Sequence, residues 1–117
     1  YKMPKVSIII VSFNVRSYLL SAIDSILKSN YPNYEIIVVD NNSYDNTVDI
    51  ISDKYPKVNI LSNDKNVGFG KAVNQGAKIA SGDYFLILNP DTIVEEDMIN
   101  DLIEYIDSKI LVMPPIG

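Results

Sequence analysis

Residues 6–11, Val-Ser-Ile-Ile-Ile-Val, and residues 35–40, Glu-Ile-Ile-Val-Val-Asp, decide the fold. Each is a short, nearly unbroken run rich in β-branched residues. A strand with one wet face alternates polar and apolar residues, whereas a continuous apolar run suits a strand covered on both faces, as in a parallel sheet. Between the two runs, Ser12-Phe13-Asn14 breaks the first, with Asn14 as a helix N-cap. From Val15 to Lys28 the residues Leu19, Leu20, Ile23, Ile26 and Leu27 recur at helical spacing, and Asn30-Tyr31-Pro32-Asn33 stops that helix. Working outward, a second helix spans Thr47 to Tyr55 before Pro56, and a short strand spans Val58 to Leu61. A loop from Asn63 to Gly70 leads to a third helix, Ala72–Ala80, closed by Ser81-Gly82. A fourth strand follows over Tyr84–Leu88, then a turn at Asn89-Pro90-Asp91-Thr92. A fourth helix is expected over Glu95–Asp107 with Met98, Leu102, Ile103 and Ile106 inward, and Ile110–Val112 reads as a fifth strand. This alternation predicts an α/β fold: an open, mostly parallel twisted sheet with helices on both faces and right-handed crossovers.

Composition narrows the chemistry. The 117 residues suit a single domain. A net charge of −5 makes free nucleic acid a poor partner, because tracking phosphates needs a basic stripe. An acidic chain that binds a phosphorylated ligand must neutralise it locally, through a metal ion, a helix N-terminus or a few placed cations. The chain has no cysteine and no histidine, which removes disulfides, zinc fingers and every imidazole-dependent nucleophile. Acid–base work falls to Asp, Glu, Lys or Tyr. A metal would sit on oxygen ligands, which favours Mg²⁺ or Mn²⁺. No apolar run is long enough to span a bilayer, and Tyr1-Lys2-Met3-Pro4-Lys5 is no signal peptide. Both fit a cytoplasmic protein, and an anchor to the membrane inner face elsewhere in a longer chain stays compatible with them. The end at Pro114-Pro115-Ile116-Gly117 reads as a domain cut short.

In open α/β sheets ligands bind at the carboxyl ends of the strands. Ser12-Phe13-Asn14, Asp40-Asn41-Asn42-Ser43 and Asn89-Pro90-Asp91 stand at three such ends. If the first, second and fourth strands lie side by side, these groups face one crevice, with Asp40 and Asp91 ending neighbouring strands. Asp40 has two readings: it accepts hydrogen bonds from a base or ribose, or it caps the turn onto Asn42 or Ser43. Asp91 likewise either binds a divalent cation that bridges a diphosphate or caps the Asn-Pro turn. Asn66-Val67-Gly68-Phe69-Gly70-Lys71 partly resembles a phosphate loop, with glycines for close approach and a helix N-terminus behind them. The alternative is a glycine-rich helix entry with Gly68 at positive φ. Gly76 inside the third helix costs about 1 kcal/mol against alanine and points to a close approach by ligand or backbone. Asp24, Asp49, Asp53, Asp97 and Asp101 read as solvated helix faces, and Tyr18, Tyr55 and Tyr84 as packing residues.

Taken together, Val6–Asn14 (VSIIIVSFN), Glu35–Ser43 (EIIVVDNNS), Asn66–Gly76 (NVGFGKAVNQG), Gly82–Tyr84 (GDY) and Leu88–Asp91 (LNPD) resemble the family-2 glycosyltransferases in order and spacing. The subgroup is the one that carries Asn-Pro-Asp and includes many rhamnosyltransferase-like enzymes. The resemblance implies the GT-A fold, a UDP- or dTDP-linked sugar donor, a divalent metal (Mg or Mn) and inversion at the anomeric carbon. It also implies a role in cell-wall or polysaccharide synthesis, with a saccharide or lipid-linked acceptor in the full protein. By motif match, Asp40 contacts the nucleobase and Ser12, Phe13, Asn14 and Asn42 line the nucleoside pocket. Asn66, Gly68 and Lys71 lie near the ribose and diphosphate, and Asp91 touches the metal. Asn89 replaces the first acid of an Asp-x-Asp motif and orients the ribose or the turn. The catalytic base is expected beyond Gly117, so the chain is expected to be the donor half without the acceptor half. An unfinished sheet would leave an edge for a homodimer. Two other classes stay open. A receiver-like interaction domain would need an acidic pair where Ser12-Phe13-Asn14 stands and a lysine where Pro114-Pro115 stands. The other is a non-catalytic nucleotide-binding module.

Overall fold

The computed structural model describes residues 3–107. Its elements are β1 (Val6–Ser12), α1 (Arg16–Leu27), β2 (Tyr34–Asp40), α2 (Thr47–Lys54), β3 (Asn59–Ser62), α3 (Phe69–Ile79), β4 (Tyr84–Leu88) and α4 (Met98–Asp107). The strands form one sheet in the order β3-β2-β1-β4, and every pairing is parallel. β1 lies at its centre, with Val6 opposite both Tyr34 and Tyr84, and Ser12 opposite Asp40.

The two apolar runs are inner strands, as their composition requires. Val6, Ile8 and Ile10 of β1 and Ile36 and Val38 of β2 point to one face. There they meet Leu19, Ile23 and Ile26 of α1, Ile51 of α2, and Ile99 and Ile103 of α4. Ile9, Ile37 and Val39 point to the other face and meet Ala72 of α3. Each such side chain taken fully out of water contributes roughly 1.5–3 kcal/mol.

α3 covers its face with small residues because it lies close to the sheet. A Cβ added at Gly76 would stand 2.8 Å from Ile9 Cγ2 and 3.3 Å from Val39 Cγ2. The glycine is therefore explained by sheet side chains, with no ligand needed. Gly76→Ala should lower stability by about 1–2 kcal/mol, because overpacking outweighs the alanine's better helix propensity. Urea denaturation checks this, and an unchanged midpoint would mean that Ile9 gives way.

Several boundaries differ from expectation. α3 begins at Phe69 rather than Ala72, because Gly68 at φ 86° turns the chain directly into the helix. α4 begins at Met98 rather than Glu95. The Glu96 carbonyl instead accepts the Asn30 N–H at 3.0 Å, which ties this segment to the exit of α1. Ile110–Val112 lies outside the described residues. Leu27 and Leu102 are 50% and 41% exposed rather than inward, and Tyr18 is 61% exposed rather than packed. Asp24 is no freely solvated group. It accepts a hydrogen bond from the Tyr55 hydroxyl and sits 4.0 Å from Lys54 Nζ. Burial and that carboxylate together push the Tyr55 phenol up to about 12.

At the amino-terminal end of the sheet a polar clasp joins β1, β2 and the entry to β4. Glu35 Oε2 accepts hydrogen bonds from Ser7 Oγ (2.6 Å), Ser81 N (2.7 Å) and Ser81 Oγ (3.1 Å). Ser7 Oγ in turn accepts from Gly82 N at 2.8 Å. Burial alone would raise the Glu35 carboxyl, but these donors and the Lys5 ammonium hold it below the usual range.

Candidate functional site at the carboxyl ends of the strands

The opposite end of the sheet carries the sequence-predicted groups. β2, β1 and β4 do lie side by side. Asp40 and Asp91, however, do not end adjacent strands, since β1 stands between β2 and β4. The loops after β1 and β2 are bound into one unit. Asn41 N donates to Ser12 O (2.8 Å), Asn14 N to Ser43 Oγ (2.9 Å) and Tyr44 N to Asn14 Oδ1 (2.9 Å). Arg16 adds two contacts to Asp45, through its backbone N–H to Oδ2 (3.2 Å) and through Nη1 to the carbonyl (2.7 Å). Asn14, Asn42 and Asn46 hold the left-handed conformation at φ 52°, 67° and 61°, which asparagine tolerates better than most side chains.

Asp40 displays its turn-capping reading. Its Oδ2 accepts from Ser43 N (2.8 Å) and its Oδ1 from Ser43 Oγ (2.5 Å). With 1% of its surface exposed, it shapes the rim from below, while each oxygen keeps a lone pair for a further donor. Ser12 is fully buried beside it, and its hydroxyl has no partner among the described residues. A buried hydroxyl without a partner costs about 1–3 kcal/mol, so this atom is available to a ligand or an ordered water. Above these two residues the rim is exposed: Phe13, Asn42, Tyr44, Asn66, Gly68 and Lys71 on one side, Asn89 and Asp91 on the other.

The glycine loop has mixed explanations. Asn66 Oδ1 accepts Gly68 N at 2.9 Å, a local turn. Gly68 is required by its positive φ. A methyl at Gly68 or Gly70 would meet nothing within 4 Å, so neither is needed for packing, and the first turn of α3 is left bare. Asn89–Thr92 is a β-turn closed by Thr92 N to Asn89 O at 3.0 Å, with Asp91 exposed at its third position.

Sequence reasoning missed the residues that hold this geometry. Asn41 is 2% exposed. Its Nδ2 donates to Gly68 O (3.2 Å), and its Oδ1 accepts from Asn63 Nδ2 (3.0 Å) and, more weakly, from Val67 N (3.5 Å). Asn63 and Gln75 exchange two amide hydrogen bonds at 2.8 and 3.0 Å. Asp45 caps α2 through Thr47 N (3.1 Å) and the Thr47 hydroxyl. Burial would raise the Asp45 carboxyl, but the Thr47 hydroxyl, the Arg16 N–H and the Thr47 N–H lower it overall. The Asp45-x-Thr47 spacing was a legible cap signal; nothing in the spacing marked Asn41 or Tyr44.

Among the described residues no three carboxylates gather into a metal cage. One exposed carboxylate, Asp91, does not close a site by itself. Asp91 would supply one oxygen ligand to a divalent cation, whose charge would offset that of a diphosphate. A cavity of about 450 Å³, lined by Leu27, Tyr34, Ile36, Tyr55, Pro56 and Val58 among others, opens at the other end of the sheet, away from all these groups. Among the described residues no helix is long and apolar enough to cross a membrane.

The chain is similar in sequence and fold to known proteins. The chain is 34% identical over 107 residues to glycosyltransferase GlyG of Streptococcus pneumoniae, covering 89% of this chain and 36% of that protein. It is 32% identical over 94 residues to a poly-beta-1,6-N-acetyl-D-glucosamine synthase of Staphylococcus epidermidis, covering 79% of this chain and 23% of that protein. The crystal structure of S. aureus TarS 1-349 in complex with UDP-GlcNAc superposes with a TM-score of 0.80 at 28% identity, covering 89% of this chain and 31% of that one. The chain thus spans well under half the length of these relatives. The description Glycosyl transferase family 2 matches residues 7–116, nearly the whole chain including all three loops of the rim, and the chain belongs to that family.

Proposed function

We propose that the carboxyl-terminal rim of β2, β1 and β4 binds the nucleoside diphosphate of an activated sugar, UDP- or dTDP-linked, and that the chain is the donor half of an inverting glycosyltransferase. The observation that carries this reading is the pinned pair of loops 12–16 and 40–46 around the buried Asp40 and the unpartnered Ser12 hydroxyl. These loops share the carboxyl end of the sheet with the first turn of α3, which Asn41 joins through Gly68, and with the Asp91 turn.

In this reading Ser12, Phe13, Asn14, Asp40 and Asn42 hold the nucleoside. Asn66, Gly68 and Lys71 face the ribose and diphosphate, where the N–H groups of the first α3 turn and the Lys71 ammonium favour negative charge. Asn89 orients the ribose or the turn, and Asp91 holds the divalent cation, Mg²⁺ or Mn²⁺. When bound, such an ion adds positive charge beside a leaving diphosphate. As the bond between the anomeric carbon and the diphosphate breaks, its electron pair goes to the diphosphate, and Lys71 and the helix end stabilise that growing charge. The acceptor hydroxyl, saccharide or lipid-linked, attacks from the opposite side. We place the carboxylate that takes its proton, with the acceptor site, beyond Gly117 in a longer protein. The chain's share of such relatives, 36% for the first of them, supports that division. Phe85 and Ile87 of β4, 49% and 41% exposed on the α3 side of the sheet, are the strip on which a second copy would pair along the free edge.

Thermal shift tests the reading. Saturating UDP or dTDP with Mn²⁺ should raise the midpoint by several degrees, since a ligand at 100 times its Kd stabilises by about 2.7 kcal/mol. In Asp91→Ala the metal-dependent part of the shift should vanish. A chain whose midpoint moves with no nucleoside diphosphate would contradict the reading and favour an interaction domain of the receiver-like kind.

A further inference from the structure

Phe13 and Tyr44 stand on the two pinned loops with their rings 6.1 Å apart and at 84° to each other, edge to face. Phe13 follows Ser12 directly. Tyr44 follows Ser43, whose N–H and hydroxyl both bind Asp40. The pair therefore stands on the loops that enclose Asp40. Tyr44 has no place in the core: 85% of its surface is exposed, against 42% for Phe13. Its backbone is nevertheless firmly anchored. Its own N–H is held by Asn14, Ser43 is held by Asp40, and Asp45 is held by Arg16 and Thr47. Left-handed residues at 42 and 46 bracket the segment. A loop fixed this firmly, carrying a large ring in water, presents that ring at little further ordering cost on binding.

From this geometry we propose that Tyr44 is a base-stacking residue of the donor site. The two rings, at 84° to each other, form a corner that takes the planar pyrimidine of the nucleoside diphosphate against Tyr44. The assignment rests on reading the rim as a nucleotide site, and it adds a positioning role for a residue that the sequence motifs do not mark. Stacking on an aromatic face needs no particular ring substituent. Tyr44 would thus hold the base in place and leave discrimination between bases to the hydrogen-bonding groups beneath it. Phenylalanine should replace tyrosine, and alanine should not.

Calorimetry on the 117-residue chain with Mn²⁺ tests this with two probes, UDP and inorganic pyrophosphate. Tyr44→Ala should weaken UDP about tenfold or more, the worth of one base stacked on one ring, and leave pyrophosphate unchanged. Tyr44→Phe should bind UDP like the parent. If Tyr44→Ala binds UDP as tightly as the parent, or loses pyrophosphate to the same degree as UDP, Tyr44 does not stack on the base. If Tyr44→Phe fails as badly as Tyr44→Ala, the hydroxyl matters and stacking is again refuted. A parent chain that binds pyrophosphate but gains nothing from the uridine would refute the stacking role while sparing the phosphate end of the site. A parent chain that binds neither probe overturns the nucleotide site and this role with it.

Discussion

Gly82→Ala should destabilise the fold by about 3 kcal/mol, at the upper end of what overpacking costs. A Cβ there would lie 2.5 Å from Ser7 Oγ, 2.7 Å from Ser7 N and 2.9 Å from Lys5 O. Two of these are backbone atoms of the entry to β1, so no side-chain rotation relieves the clash. Relief requires moving the segment 81–83, which also carries the Ser81 donors to Glu35 and the Asp83 N–H to Lys5 O at 2.7 Å. Displacing those donors would leave the Glu35 carboxylate, 15% exposed, short of partners at the edge of the core, a second cost on top of the steric one. Urea denaturation should show a midpoint lower by about 1 M or more. A midpoint within about 0.2 M of the parent would mean that the clasp is soft.

Asn41→Ala carries the next largest expectation, a loss of about 2–3 kcal/mol. The substitution removes one of two partners from Gly68 O and from Asn63 Nδ2, which keep Ala72 N and Gln75 Oε1, and hollows a position 2% exposed to solvent; each lost hydrogen bond costs about 0.5–1.5 kcal/mol. Its effect should concentrate on the segment 63–68, because Asn41 is what joins the end of β2 to the entrance of α3. Hydrogen exchange should therefore quicken at Gly68 and Ala72, whose N–H groups bond to Asn66 and to the Gly68 carbonyl, while β1 keeps its protection. Uniformly faster exchange across the sheet, or none, would contradict a local joining role. Asn41→Asp separates the two halves of the side chain, since it keeps the acceptor for Asn63 and loses the donor to Gly68.

The strands were legible because their physics is local. An unbroken β-branched run such as Ile8-Ile9-Ile10 has few other places to go than the middle of a parallel sheet. From that alone the rule about strand ends put Ser12, Asp40 and Asp91 on one end of the molecule, where the fold has them. What stayed hidden depends on atoms distant in sequence. Gly76 read as a close approach by ligand or backbone, and what comes close is the methyl of Ile9, 67 residues earlier. Leu27 fits the helical period yet lies over a groove rather than the core, and Tyr18 has no face to pack on. Asp40 and Asn41 are equally polar on paper. Both are buried, the first under its own turn and the second under the glycine loop, and only the crossover from β3 to α3 brings that loop near. Tyr44 carries no periodic signal at all. Its importance follows from the hydrogen bonds that fix its neighbours.

The rim at the carboxyl ends of β2, β1 and β4 competes with the more apolar groove near Tyr34 and Tyr55 at the opposite end, and one experiment chooses between them. Amide chemical shifts of the ¹⁵N-labelled chain should be followed during titration with UDP and Mg²⁺. Changes should gather at Ser12–Asn14, Asp40–Asp45, Gly68–Lys71 and around Asp91, with Tyr34, Tyr55 and Val58 unmoved. Changes centred on Tyr34, Tyr55 and Val58, or none at saturating nucleotide, would contradict a nucleotide site at the rim.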